Sequence, residues 1–409
     1  MRILALTSSF PYPADNGTKL RVSNLLRQLA AHHTIDLLAF SDQPVTPAQY
    51  AQAEQVCASV GVYPQRAFQP STRQALTGFF SMRPRSEVAT FSPEMAAGVA
   101  RRIAAQPVDC VIAFEFLMAP YVPDTPAIPA IVDELQVAPL YERYARQTQL
   151  APRLRAGLTW MKSRAYVAQR LARFAACTVA SPRERDLVLK TLHVAPERVV
   201  VVPNGADLST PDTTIAPVAD TLIYAGALTF DANFDAVDFF LRSIFPLIQT
   251  QRPDVTFTVT GSTQGVDLAQ LPAALGLRLT GFVEDVRACV AASWASVVPL
   301  RVGGGTRLKI LESLALGVPV VATCKGAEGL DFAPGEGIFV ADAPDDFARH
   351  TIELLGDAEL RQVAGARGQH AVQRYDWRKI GAQMNALVEE VCTAPARRTG
   401  VHQESKCVH

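Results

Sequence analysis

The sequence predicts an α/β protein with the architecture of two Rossmann-like, doubly wound parallel-sheet domains that face each other across a cleft. Short apolar runs of strand length alternate along the chain with longer segments of helical periodicity. This alternation stops in a Pro- and Thr-rich stretch, 209–219, and then starts again. At 409 residues, 49% of them hydrophobic and 19% charged, the chain is too long for one ordinary core. We therefore predict a first domain over 1–208 and a second over 209–375.

The elements follow from the apolar runs, taken in order. In the first half we predict strands at 2–6, 35–40, 110–114, 128–132, 177–180 and 199–202, with a helix at 20–31. The stretch 45–105 reads as helical and loop-like. In the second half we predict strands at 222–225, 256–260, 278–279, 297–300 and 318–321, and helices at 236–248 and from about 306 to 316.

The segment 297–323, VVPLRVGGGTRLKILESLALGVPVVAT, contains the strongest functional signal. Three glycines, Gly303 to Gly305, join a buried strand to a helix whose predicted start is near Thr306. Arg307 and Lys309 fall in its first turn, where cations oppose the helix dipole unless an anion lies between them. Glu312, further along the same helix, could accept hydrogen bonds from a diol. The pattern favours a diphosphate beside a ribose, although a plain glycine turn with solvated cations fits it equally well.

Three further features lie where open α/β sheets bind ligands, at the carboxyl ends of strands. A long loop with Pro11, Pro13 and Gly17 follows the first strand. Glu115 follows the strand at 110–114, and the next strand ends in Asp133 and Glu134. These acids could contact sugar hydroxyls, or could cap the following helices.

The segment 143–173 is strongly basic and has apolar residues, among them Leu158 and Trp160, at roughly helical spacing. Such a helix could lie on an anionic membrane face, or could be a solvated helix packed on its domain. Its basic residues are Arg143, Arg146, Arg153, Arg155, Lys162, Arg164, Arg170 and Arg173.

Composition excludes several classes of protein. Lys plus Arg equals Asp plus Glu, 39 each, so no global charge favours a nucleic-acid partner. Seven scattered cysteines without a CxxC pair indicate a reducing compartment and argue against a structural zinc site. No apolar run is long enough for a membrane helix, and the first residues lack a signal-peptide pattern. We therefore expect a cytoplasmic protein, which could also attach peripherally to the inner face of the membrane.

The order of short motifs resembles family 4 glycosyltransferases, which are retaining enzymes with the two-domain GT-B fold and nucleotide-sugar donors. The resemblance spans nearly the whole chain, from Pro11–Arg21 to the tail beginning Tyr375-Asp376-Trp377. The motifs that carry it are Pro203-Asn204-Gly205-Ala206-Asp207, Tyr224-Ala225-Gly226, Gly261, Gly281-Phe282-Val283 and Pro299–Thr323. By this resemblance a last helix, at about 376–392, returns to the first domain, and 393–409 is a disordered tail.

The resemblance implies roles for particular residues. Glu312 matches the second glutamate of the family's Glu-x7-Glu motif, which binds ribose, and Gly17 matches a glycine near the donor phosphates. Expected donor contacts come from Gly17, Gly226, Asn233, Gly304, Gly305, Thr306, Arg307, Lys309 and Glu312. Expected acceptor contacts come from Asn16, Arg21, Glu115 and Asp133. Candidate catalytic groups are Arg307, Lys309 and Glu115.

The chain also departs from the family pattern. Gly304 stands where the first glutamate belongs, and Phe114, followed by Glu115, replaces a histidine. The cations usual after the Tyr-Ala-Gly strand are missing, and we expect Arg307 and Lys309 to replace them, as in a subgroup carrying GGGTRLKILE.

Fixed cations at a helix start could stabilise the leaving nucleoside diphosphate without a metal or other cofactor. Retention without a carboxylate nucleophile fits attack on the same face, with the leaving phosphate accepting the acceptor's proton. The alternatives are a sugar-nucleotide epimerase or a phosphorylase on the same fold, and a non-catalytic nucleotide-sugar-binding subunit.

Overall fold

The computed structural model describes residues 1–65, 90–123, 127–145, 147, 149–209, 215–304 and 307–393, without the side chains of 139, 140, 143 and 151. The predictions for Arg146, Gly305, Thr306 and the 394–409 tail, and for the Arg143 side chain, lie outside this part of the chain.

The first domain is built on a seven-stranded parallel sheet in the order β3-β2-β1-β4-β5-β6-β7. Both faces of the sheet are buried, because Leu4 and Leu6 enter one apolar cluster while Ile3 and Ala5 enter another. This burial explains why the strands read as continuous apolar runs. The strands are β1 (Arg2–Thr7), β2 (Thr34–Ser41), β3 (Ser59–Pro64), β4 (Cys110–Phe114), β5 (Ala130–Asp133), β6 (Ala176–Val179) and β7 (Val199–Val201).

The second domain has a six-stranded parallel sheet in the order β10-β9-β8-β11-β12-β13. Its core lies around four phenylalanines, Phe240, Phe245, Phe257 and Phe347, which are fully buried and whose rings contact each other. The strands are β8 (Thr221–Ala225), β9 (Thr256–Thr260), β10 (Leu277–Gly281), β11 (Ala295–Val298), β12 (Val320–Ala322) and β13 (Ile338–Val340).

Helices cover both faces of each sheet, as expected for doubly wound domains. The described helices of the first half are α1 (Gly17–Ala30), α2 (Pro47–Glu54), α3 (Pro93–Ala105), α4 (Ala138–Ala145), α5 (Leu150–Leu171) and α6 (Pro182–Leu192). Those of the second half are α7 (Asp231–Phe239), α8 (Phe245–Gln251), α9 (Val286–Ala291), α10 (Leu308–Ala315), α11 (Pro344–Gly356), α12 (Ala358–Ala371) and α13 (Trp377–Thr393).

The last helix, α13, belongs by packing to the first domain. Trp377, Ile380, Met384 and Val388 are buried in the cluster that also holds α1 and β1. The chain therefore crosses between the domains twice, once after β7 and once before α13. The two crossings touch at a backbone bridge between Ala206 and Asp376.

Several predicted boundaries differ from the observed ones. The strand β3 lies inside the stretch predicted as helix and loop, because as an edge strand its residues are only partly buried and the apolar pattern is weak. The predicted helix 236–248 starts at Asp231 and is interrupted by a π turn at Phe240–Ile244. The basic segment forms the end of α4 and a separate helix, α5.

Strand order locates the ligand edge of each domain. In the first sheet the direction of winding changes between β1 and β4, and in the second it changes between β8 and β11. Ligands of doubly wound sheets bind beyond the carboxyl ends of the strands at such switch points. These positions hold the loop before Gly17 and Glu115 in one domain, and Gly226 and the glycine loop in the other.

Candidate functional site

Gly17 marks the contact between the loop after β1 and the second domain. Asn16 caps α1 by accepting a hydrogen bond from the backbone N–H of Lys19, at 3.0 Å. A side chain on Gly17 would place its Cβ 3.3 Å from Cδ1 of Leu308, the first residue of α10. Glycine at this position lets the start of α1 approach the start of α10 closely.

Arg307 holds the backbone of the glycine loop through hydrogen bonds. Its guanidinium donates to the carbonyl oxygens of Gly304 at 2.6 Å, Gly303 at 2.9 Å and Lys325 at 3.4 Å, and the residue is only 7% exposed. Both terminal nitrogens therefore already donate to backbone carbonyls, and the predicted role of Arg307 in holding a diphosphate stays a prediction. Its Nε has no partner in the described part of the chain.

The Lys309 side chain reaches the carboxyl end of β8 in the second domain. Its Nζ donates to Asn233 Oδ1 at 3.1 Å and lies 3.8 Å from the centre of the Tyr224 ring. Asn233 is held by the Tyr224 hydroxyl at 2.6 Å and donates to the Ala227 carbonyl at 2.8 Å. A Cβ at Gly226 would come within 2.7 Å of the amine, so a side chain here would displace Lys309 from this position.

The ammonium of Lys309 has no carboxylate within ion-pairing distance among the described residues. Burial, followed by the neighbouring Arg307 charge, lowers the pKa of Lys309 well below its usual range. A buried cation without a counterion is costly, and a bound anion would restore its charge.

The helix α10 starts at Leu308, two residues later than predicted, and Arg307 occupies its N-cap position. No described side chain caps this end. The first backbone N–H groups of a helix point outward and attract anions, and Lys309 lies in the same turn. The helix start and Lys309 therefore form one positive surface beside Gly304.

Glu312 lies one turn beyond Lys309 and faces a cavity of about 530 Å³ between the domains. The cavity is bounded by α1, the 205–209 segment, Leu308, and the start of α13. Burial raises the pKa of Glu312 to about 7, against the opposing charges of Arg287 and Lys309. A carboxylate in this position can accept hydrogen bonds from ligand hydroxyls.

Arg21 and Asp133, two predicted acceptor ligands, are instead paired inside the first domain. The guanidinium makes two hydrogen bonds to the carboxylate, at 2.8 and 2.7 Å, and both side chains are 1% exposed. Arg21 also donates to Pro203 O and Asn204 Oδ1, both at 3.0 Å. Since all of these groups are buried and partnered, we assign the pair to fixing α1 against β5 and the 203–204 segment.

Glu115 remains at the ligand edge of the first domain. It directly follows β4, has a left-handed backbone with φ of 66°, and accepts a hydrogen bond from the Ser8 hydroxyl. Burial, then the nearby Glu134 and Asp133 carboxylates, raise its pKa to about 7. Glu115 can therefore hold or release a proton near neutral pH, and its predicted catalytic and acceptor roles stay predictions.

Sequence reasoning missed Tyr224 and Glu134 as parts of this region. Tyr224 reads as an ordinary core residue of β8, and only the structure shows Lys309 above its ring. Glu134 is 8% exposed with φ of 55°, and a non-glycine residue in this backbone region at a strand end is uncommon. Among the described residues no group of three or more His, Cys, Asp or Glu could hold a metal ion.

The helix α5 presents a different apolar surface from the one predicted. Trp160 packs on the first domain's core with its ring 5.6 Å from that of Tyr141, so it is not available for a membrane. Leu150, Leu154 and Met161 are instead 80%, 74% and 57% exposed. In the described ranges no helix has the length and apolar character needed to cross a bilayer.

Several known proteins are similar to parts of this chain. Residues 219–357 match the family described as glycosyl transferases group 1. The chain is 28% identical over 208 residues to the phosphatidyl-myo-inositol mannosyltransferase of Mycolicibacterium smegmatis, covering 48% of this chain and 53% of that protein. It is 29% identical over 263 residues to the D-inositol 3-phosphate glycosyltransferase of Jonesia denitrificans, covering 55% and 59%. The chain thus spans about half the length of these curated relatives.

Solved structures match over nearly the whole chain. WaaG, a glycosyltransferase of lipopolysaccharide biosynthesis, has a TM-score of 0.64 at 13% identity and covers 96% of this chain and 100% of its own. HepE of Anabaena, in complex with UDP and glucose, has a TM-score of 0.68 at 17% identity and covers 95% and 99%. With the two parallel sheets, these matches confirm the predicted GT-B fold.

Proposed function

We propose that this protein transfers a sugar from a nucleoside diphosphate sugar to a hydroxyl group of a saccharide or lipid-linked acceptor, with retention of the anomeric configuration. The family match of the second domain, residues 219–357, supports this proposal. Relatives act on lipid and polyol acceptors according to their names, which is consistent with a role in glycoconjugate synthesis. We also place the chain in the subgroup carrying GGGTRLKILE.

The observation that carries the proposal is the environment of Lys309. Its amine is held by Asn233 and Tyr224 at the carboxyl end of β8, where the family usually has cations that this sequence lacks. Lys309 of α10 would therefore supply the positive charge that other residues supply at the end of β8 in the family. A partly buried ammonium without a carboxylate partner favours binding of an anion such as a diphosphate.

The donor would lie along the first turns of α10. Glu312 would accept hydrogen bonds from the ribose in the 530 Å³ cavity, whose volume suits a small ligand. The diphosphate would contact the free N–H groups at the helix start and Lys309. The sugar would then lie beside Gly304, whose missing side chain leaves room for it.

In the reaction, the acceptor oxygen bonds to the anomeric carbon while the bond from that carbon to the diphosphate oxygen breaks. The acceptor's proton passes to the departing diphosphate oxygen, so no side chain has to act as a strong base. Lys309 and the helix start stabilise the charge that develops on the diphosphate. We expect the reaction to require no metal or other cofactor, and the assay tests this by adding either EDTA or Mg²⁺.

We further propose that α5 attaches the protein reversibly to an anionic membrane face. It carries Arg153, Arg155, Lys162, Arg164 and Arg170 without one acidic residue over 150–171. Exposed Leu150, Leu154 and Met161 lie on the same helix. Attraction to anionic lipid and insertion of these apolar side chains favour binding together.

The test is to incubate the protein with UDP-glucose or GDP-mannose and octyl glycosides, with EDTA or Mg²⁺ present, and to analyse products by mass spectrometry and NMR. Transfer with retained configuration supports the proposal. Isomerised sugar nucleotide would indicate an epimerase, and nucleotide binding without turnover would indicate a binding subunit. Absence of nucleoside diphosphate binding would contradict the proposal altogether.

A further inference from the structure

Two cysteines that are far apart in the chain meet where the end of α13 packs on the first sheet. Cys110 is the first residue of β4 and is fully buried, and Cys392 lies in the last turn of α13 and is partly buried. Both pack in the apolar cluster that holds α13 against the first domain. The Cys392 thiol donates to the backbone oxygen of Asp109, the residue before Cys110, at 3.7 Å. The two side chains are therefore neighbours in space.

The two thiols share a hydrogen bond, which makes them unequal acids. This bond lowers the pKa of Cys392, and together with burial it raises the pKa of Cys110 well above its ordinary value. Cys392 is therefore the thiol that ionises, while Cys110 keeps its proton. Since the thiolate is the form that reacts with oxidants, the more exposed sulfur is also the more reactive one. A reactive thiolate with a second thiol in contact is typical of sites of reversible oxidation.

The other cysteines of the described ranges have different surroundings. Of the six described cysteines, Cys110 and Cys392 are the pair whose thiols contact each other. Burial raises the pKa of Cys57 and of Cys177 to about 12, so these thiols stay protonated near neutral pH. Cys324 is exposed, and its hydrogen bond to a neighbouring carboxylate raises its pKa. An oxidant should therefore act first on Cys392.

We propose that hydrogen peroxide converts Cys110 and Cys392 into a reversible disulfide bond that fastens the end of α13 to β4. The Cys392 thiolate attacks one peroxide oxygen, the O–O bond breaks, and the departing hydroxide takes up the proton that Cys392 released. The Cys110 sulfur then bonds to the sulfur of the resulting sulfenic acid, whose S–O bond breaks as the hydroxyl leaves with the Cys110 proton as water. Two thiols and one peroxide thus give one disulfide and two waters. A small thiol such as glutathione reverses the bond by exchange.

The disulfide would secure the packing of α13 during oxidation. In a reducing compartment the thiols stay reduced at rest, and α13 is held to the first domain by apolar contacts. A bond between Cys110 and Cys392 would close a loop of most of the chain, which restricts the unfolded state and favours the folded one. This disulfide does not depend on the proposed function, because it lies at the amino end of β4 and ligands bind at the carboxyl ends of the strands.

The test oxidises the reduced wild-type protein with hydrogen peroxide, blocks the remaining thiols with N-ethylmaleimide in denaturant, and isolates the monomer on a non-reducing gel. Trypsin then places Cys110 on peptide 103–143, Cys392 on peptide 380–397 and Cys407 on peptide 407–409, so each possible link has its own mass. We expect the link between 103–143 and 380–397 to exceed every other cysteine link at least tenfold. Dithiothreitol should remove it.

Cys392→Ser should abolish the link, and Cys324→Ser, at an exposed position, should leave it unchanged. Oxidised wild type should melt about 3 °C or more above reduced wild type, and oxidation of Cys392→Ser should give no such rise. A link from Cys392 to Cys407 or to a second molecule in its place would overturn the proposal, and so would oxidised Cys392 beside an unlinked Cys110. An unchanged melting temperature despite the bond would contradict the fastening of α13.

Discussion

At the scale of single residues, Lys309 and Arg307 look alike in the sequence and differ in the structure. Both are cations next to the glycine loop, but Arg307 is occupied by three backbone carbonyls while Lys309 has only Asn233 and an aromatic ring. The first therefore shapes the loop, and the second is available to an anion. Different experiments should separate these roles.

We expect Lys309→Ala to weaken UDP or GDP binding at least tenfold, about 1.4 kcal/mol, because a charged hydrogen bond to the diphosphate is lost. The melting temperature should stay level or rise, since taking this amine out of water costs folding free energy. Calorimetry and thermal unfolding measure the two effects, with the exposed Lys379→Ala as control. Unchanged binding would exclude Lys309 from the donor site.

Glu312 should make nucleotide binding depend on pH. Its pKa of about 7 leaves it mostly protonated at pH 6 and mostly ionised at pH 8, and the ionised form is the better acceptor for ribose hydroxyls. Affinity should rise over this range in the wild type, and the rise should shrink in Glu312→Gln. Because phosphate groups also titrate there, the difference between the two proteins is the quantity to measure.

The raised pKa of Glu312 has the opposite consequence for the stability of the folded protein. The folded pKa lies above the ordinary value of 4.5, so ionisation costs folding free energy as pH rises from about 4.5 to 7. Glu312→Gln should therefore melt at an equal or higher temperature than the wild type at pH 8. A lower melting temperature would indicate that the carboxylate is structurally required.

At the scale of elements, α5 combines a basic surface with exposed leucines at its start. Four of its cations lie between Arg153 and Arg164, near Leu154 and Met161. The buried side of the same helix, through Trp160, contacts Tyr141 of α4. One helix thus joins the proposed membrane contact to the core of the first domain.

The expected result is that wild-type protein sediments with anionic vesicles at low salt and dissociates at high salt. Changing Arg153, Arg155, Lys162 and Arg164 to Gln should reduce partitioning on the order of a thousandfold, at about 1 kcal/mol per charge. A matched variant with Arg101, Arg242, Arg349 and Arg367 changed to Gln should still sediment. Equal behaviour of both variants would mean that α5 is an ordinary solvated helix.

At the scale of the whole molecule, the domains meet through contacts of different chemistry. On the crossing side the Ala206–Asp376 bridge joins the two chain crossings, and Gly17 lies close to Leu308. Beside α4 and the start of α6 the domains are joined by the ion pairs of Lys325, Glu142, Glu328 and Arg183. Ionic groups that separate become hydrated and expose little apolar surface, so we expect the domains to open on this side.

Lys325→Met should shift the free protein towards a more open arrangement, because it removes both bonds of the central cation. Small-angle scattering should show a larger radius of gyration for the variant, and nucleoside diphosphate should reduce the difference. Lys190→Met, which removes an exposed cation in the last turn of α6, is the control. Identical scattering of Lys325→Met and wild type would show that these pairs do not hold the cleft closed.

Local sequence patterns were enough to predict the two doubly wound domains and the glycine loop beside a helix start. Strand and helix patterns depend on residues close together in the chain, so β4 (Cys110–Phe114) and β9 (Thr256–Thr260) were predicted at their observed bounds. The glycine at 226 and the acid at 312 were also found from local motifs.

Which charged side chains pair inside the protein and which face the cleft depends on contacts between residues far apart in the chain. Arg21 meets Asp133 across 112 residues, Lys309 meets Asn233 across 76, and Lys325 meets Glu142 across 183. Such partners are set by strand order and domain closure, which local patterns do not contain. Arg21 and Asp133, which were predicted to contact the acceptor, therefore form an internal pair. Lys309, one turn from Glu312, is the candidate anion ligand.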